Sequence, residues 1–101
     1  MIYYTAIYNY PKLTKIGKSD SFSKAVLNLR RKMVSNSAEE GYIFKEEPKA
    51  NEKWIERHMV AYMRSEEMEY RNGNFGLCYI LQNPKTKKDH IVNSNGTLSR
   101  F

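Results

Sequence analysis

The sequence predicts an α+β fold, a few strands carrying two main helices. Three observations predict it. Short segments rich in Ile, Val, Tyr and Thr recur along the chain, two longer segments space their apolar residues at three and four positions, and turn residues separate the two kinds. With 101 residues, of which 41% are apolar, the chain forms one domain spanning 1–101 with a real but modest core. The expected order is β-β-α-β-α-β-β, with the strands in a mixed sheet.

Residues 2–8, with Ile2, Tyr3, Tyr4 and Thr5, read as the first strand. Asn9, Tyr10, Pro11 and Lys12 supply a turn, and residues 13–17 return as the second strand of a hairpin. Asp20 or Ser21 can cap a helix over about 23–33, whose stripe is Phe22, Val26, Leu29 and Met33. Arg30, Arg31 and Lys32 fall in its expected last turn, where the helix dipole favours cations. The polar stretch 35–40 reads as a loop, and Gly41, Tyr42, Ile43 and Phe44 as a short central strand. Pro48 suits the first turn of a second helix continuing to about Arg64, with Trp54, His58, Ala61 and Tyr62 on one face. Residues 77–81 and 90–92 read as strands joined through Asn83, Pro84 and a lysine-rich turn. Asn95-Gly96 marks one more turn.

Charge narrows the partners. Lys and Arg number 17 against 11 acids, giving a net charge of +6, which favours an anionic partner: nucleic acid, a nucleotide or an acidic protein surface. Plain solubility is the competing reading. Cys78 is the single cysteine, so it excludes an internal disulfide and a cysteine-based zinc cluster. Its apolar neighbours Leu77, Tyr79, Ile80 and Leu81 suit an inert buried thiol and a reducing, cytoplasmic compartment. The first residues read as strand and not as a secretory leader, and no apolar run reaches the roughly 20 residues of a membrane span, so no membrane partner is expected.

Several motifs together resemble the GIY-YIG nuclease superfamily. Met1-Ile2-Tyr3 stands where the family has Gly-Ile-Tyr, and Lys15-Ile16-Gly17-Lys18-Ser19 where it has Tyr-Ile-Gly followed by Lys and a small hydroxyl residue. The spacing between the two is of the family's kind, and the Lys-Ile-Gly form is similar to a branch common in phage proteins. Trp54-Ile55-Glu56 is similar to the apolar pair and glutamate of the family's second helix. The resemblance covers about residues 1–81, leaving 77–101 as a C-terminal β-hairpin extension.

The resemblance implies a metal-dependent endonuclease hydrolysing phosphodiesters of DNA. Glu56 would hold Mg²⁺ or Mn²⁺, Tyr3 would serve as general base or water-positioning hydroxyl, and Lys18 would meet a phosphate as a point charge. The sequence departs from the family in two places. Ala25 stands eight residues after Gly17, where the family carries an arginine, and Lys15 replaces the tyrosine of the second tripeptide. The alternative is a catalytically degenerate protein on the same scaffold that binds nucleic acid, a nucleotide or a host protein, as a phage anti-host factor would in the host cytoplasm.

Each candidate has a plainer reading beside it. Glu56 competes with an ordinary solvated helix glutamate, Tyr3 with a core tyrosine, and His58 reads as a packing histidine. Lys15, Arg30, Arg31, Lys85, Lys87 and Lys88 are the candidate nucleic-acid contacts, against solvated lysines and arginines of a helix end and a turn. Tyr8 and Tyr10, interleaved with basic residues, could stack bases.

Overall fold

The hairpin that opens the chain has a first strand buried on both faces at Thr5, Ala6 and Ile7 and a second that is mostly exposed. A computed structural model describes residues 1–101, with β1 at Tyr3–Asn9 and β2 at Lys12–Ser19, paired antiparallel. Next come helix α1 (Phe22–Asn36), strand β3 (Glu40–Phe44), helix α2 (Glu52–His58), and strands β4 (Met59–Glu69), β5 (Phe75–Gln82), β6 (Asp89–Val92) and β7 (Leu98–Arg100). The strands form one sheet in the order β2-β1-β3-β4-β5-β6-β7. The α+β class is as the sequence predicts. Within it every pairing is antiparallel, where a mixed sheet was expected, because β1 lies between β2 and β3, the two parallel strands that α1 connects, and α2 connects the antiparallel neighbours β3 and β4.

Helix α1 starts where its cap predicts. The Ser21 hydroxyl accepts the Lys24 N–H at 3.2 Å, and Val26, Leu29 and Met33 are buried against the sheet with Ala25. The helix ends at Ser37, whose left-handed φ of 52° turns its N–H back onto the Val34 carbonyl. Arg30, Arg31 and Lys32 therefore lie short of the last turn, which holds no basic residue. Gly41 admits the helix closely: a Cβ there would stand 2.6 Å from Leu29 Cδ1.

The second helix is much shorter than its periodicity predicts. Asn51 caps it by accepting the Trp54 N–H at 3.0 Å, so Pro48 precedes the helix, and it stops at His58 in place of Arg64. Met59–Glu69 is instead a strand. Its inner half obeys period two: Ala61 and Met63 are buried on the α1 side, while Tyr62 and Arg64 point to the opposite side. Trp54, His58 and Ala61 satisfy a helical spacing only by joining the end of one element to the start of another.

The two helices cover opposite faces of the sheet. On the α1 face, Val26, Leu29 and Met33 pack with Ile43, Met63 and Leu81. On the other, Ile55 of α2 packs on Ala6 and Phe44, flanked by Tyr4, Tyr42 and Trp54. No helix is long and apolar enough to cross a membrane.

Candidate anion-binding site

The residues expected to form a hydrolytic centre are divided between the two faces of the sheet. In the half of the hairpin nearest the turn, Ala6 pairs with Lys15 and Asn9 with Lys12; continued, that register would set Tyr3 opposite Lys18. A bulge between Thr5 and Ala6 inserts one residue, so Tyr3 pairs with Ser19 and Lys18 with Tyr4. A one-residue shift moves a side chain to the other face of the sheet. Tyr3 accordingly packs edge-on against Phe22 of α1, with ring centres 5.6 Å apart, while Lys18 Nζ lies 5.7 Å from the Tyr4 ring on the α2 face.

Glu56 is exposed on α2, on the side of the sheet away from Tyr3. No group of three or more His, Cys, Asp or Glu side chains is placed to hold a metal ion. Glu56 is thus a solvent-facing carboxylate on the side of the sheet that Lys18 shares and Tyr3 does not. Ala25 is fully buried in the α1 core, so the position of the family's arginine does not reach a site at all.

The structure brings a different set together at the end of the sheet where β1 begins. A cavity of about 320 Å³ is lined by Tyr3 and Phe22, by Lys45 just past β3, by Arg57 and His58 of the last turn of α2, and by Lys85 of the β5–β6 turn. Met59, Val60, Asn83 and Pro84 complete the wall. None of these is a carboxylate. The five ion pairs of the molecule all leave Lys45, Arg57 and Lys85 free. Three like charges held near one concavity focus a positive potential into it.

His58 is positioned at the rim. Its Nδ1 donates to the Trp54 carbonyl at 2.8 Å, its ring stacks on the indole at 4.4 Å, and its Nε2 lies 3.5 Å from a Glu46 oxygen. The turn presenting Lys85 is set by Asn83, whose Oδ1 accepts the N–H groups of Lys85 and Thr86 at 2.9 and 3.3 Å. Lys87, in a left-handed conformation, and Lys88 are exposed on the same turn.

The remaining basic candidates are dispersed. Arg31 is exposed on α1. Arg30 is half-buried and internally engaged: its Nε donates to the Val92 carbonyl at 3.1 Å and its guanidinium lies 5.1 Å from the Tyr79 ring centre. It joins α1 to β5 and β6. Lys15 pairs with Glu47 at 2.9 Å, and that hydrogen bond holds the Glu47 carboxyl below its usual range. An exposed pair of this kind is weak and yields readily to a competing anion. Lys45 and Arg57 escaped the sequence reading because each stands alone, without the clustering that singled out the turn lysines.

The tyrosines of the α2 face are structural. Tyr42 and Tyr62 stand opposite each other on β3 and β4, stacked at 5.4 Å, and both hydroxyls donate to Glu40, at 3.3 and 3.0 Å. Burial, then the Glu40 carboxylate, raises both phenols, Tyr62 to about 12. A folded-state value above the unfolded one stabilises the fold while the phenol is neutral, in full below pH about 10, and this contribution is lost as pH rises toward 12. Tyrosinate absorbance followed against pH should show a late step near 12 that Tyr62→Phe removes. A late step unchanged in that variant would mean the cluster is not formed. Tyr8 and Tyr10 meet edge to face at 6.4 Å, with Tyr10 exposed at the hairpin turn.

Compared with known proteins, the chain matches no family model, no curated protein and no solved structure.

Proposed function

We propose that this chain is a non-catalytic nucleic-acid-binding domain, a degenerate member of the GIY-YIG scaffold acting in the cytoplasm. The observation that carries the reading is the cavity lined by Lys45, Arg57, Lys85 and Tyr3, with no carboxylate in the wall. Hydrolysis by a bound metal requires an acid at the phosphate, whereas binding requires only cations and donors. Arg57 can grip a phosphate through two N–H groups, Lys45 and Lys85 act as point charges, and Tyr3 supplies a hydroxyl donor. Lys87 and Lys88 extend the same positive surface along the β5–β6 turn.

The test is duplex DNA binding measured as a function of salt. Three phosphates neutralised at the cavity give a slope of log K against log salt of about −2.7. The triple variant Lys45→Ala, Arg57→Ala, Lys85→Ala should lose most of that slope and bind correspondingly less. Supercoiled DNA should stay intact with Mg²⁺ or Mn²⁺. Unchanged salt dependence in the triple variant would defeat the reading. Nicking abolished by Glu56→Ala would restore the nuclease.

A further inference from the structure

The cationic cavity has an apolar neighbour. A second cavity, of about 170 Å³, opens on the α1 face beyond the N-terminal end of α1, over strands β4 to β7. Phe22, Val60, Ala61, Leu81 and Leu98 make its apolar wall, Gln82 and Asn83 add polar groups, and His90 is its one titratable residue. Strand register explains the composition. Leu81 pairs with His90 and Val92 with Leu98, which sets these side chains on the face that α1 covers only from Phe22 onward. Phe22, Val60 and Asn83 line both cavities, so the two form adjoining compartments with a common wall.

A cationic compartment beside a small apolar one fits a ligand that is anionic at one end and apolar at the other. We infer that the pair receives one nucleotide unit, its phosphate among Lys45, Arg57 and Lys85 and its base in the slot against Phe22. This rests on the anion-binding reading of the first cavity. The slot is too small for an acyl chain but suits a flat ring system, whose faces pack on apolar side chains while its edge meets the His90 imidazole. The unit can be a free nucleotide or the terminal nucleotide of a single strand. A base paired within a duplex would have to leave its stack to enter.

Calorimetric titration of the full chain with AMP, UMP and ribose 5-phosphate tests this. The two nucleotides should bind about 10-fold or more tighter than ribose 5-phosphate, the gain expected of one stacked base. Leu98→Trp, which fills the slot from the exposed edge of β7, should erase that difference while ribose 5-phosphate binds as before. A trinucleotide carrying a 5′-phosphate that binds tighter than both AMP and its 5′-hydroxyl counterpart identifies a strand end; equal affinity for AMP and the phosphorylated trinucleotide identifies a free nucleotide. Equal affinities for nucleotides and ribose 5-phosphate in the native chain would overturn the slot and leave the cationic site standing. No binding of any phosphate compound would overturn both.

Discussion

Ala25→Arg should unfold the protein. The resemblance makes this substitution look like a repair, since an arginine is what the family carries there. Ala25 is nevertheless fully buried beside Val26 and Leu29 on the face of α1 that meets the sheet. A guanidinium forced into that contact overpacks the core, at about 1–3 kcal/mol, and buries an unpaired charge at several kcal/mol more. The sum rivals the about 5–15 kcal/mol that holds a domain of this size together. Lys24→Arg, one position earlier on the exposed side, should change stability by no more than about 0.5 kcal/mol. Urea unfolding monitored by circular dichroism separates the two. An Ala25→Arg chain with a native unfolding midpoint would mean that α1 presents a different face to the sheet.

Phe44→Ala carries the second large effect. Phe44 is fully buried at the end of β3, with the Trp54 ring 5.1 Å and the Tyr42 ring 6.0 Å from its own. The cluster on this face has only three fully enclosed members, Ala6, Phe44 and Ile55, so removing the largest leaves little to seat a seven-residue helix. The expected loss is about 3–5 kcal/mol. Trp54 is the single tryptophan, which makes its emission a direct report on α2. In the variant it should shift to the red and become open to quenching. Native emission together with a native unfolding midpoint would show that α2 is held by something other than this contact.

Much of the fold was legible because its signals are local. The Ser21 cap, the stripe of Val26, Leu29 and Met33, and the turn between Asn9 and Lys12 each act over a few residues and survive in the folded chain. The junction at His58 was not legible. A helix and a strand abut there without a turn residue between them, and over so short a window periods of 3.6 and 2 place apolar residues at compatible positions. The placement of Tyr3 and Lys18 on opposite faces was hidden for a related reason. Whether Tyr3 and Lys18 share a face depends on a single extra residue between Thr5 and Gly17, and nothing in Lys15-Ile16-Gly17-Lys18 announces a bulge. The cavity that did form draws Lys45, Arg57 and Lys85 from three distant segments, which only the sheet order of β1, β3, β4 and β5 brings to one end.

The order of that sheet also leaves two open borders. One is β7, three residues long and too short to template much of anything; the other is β2, eight residues with unpaired backbone groups along its outer side. Lys12, Lys15 and Lys18 punctuate β2, all exposed. A second chain adding itself there would bring its own lysines against these, a repulsion that discourages runaway self-association.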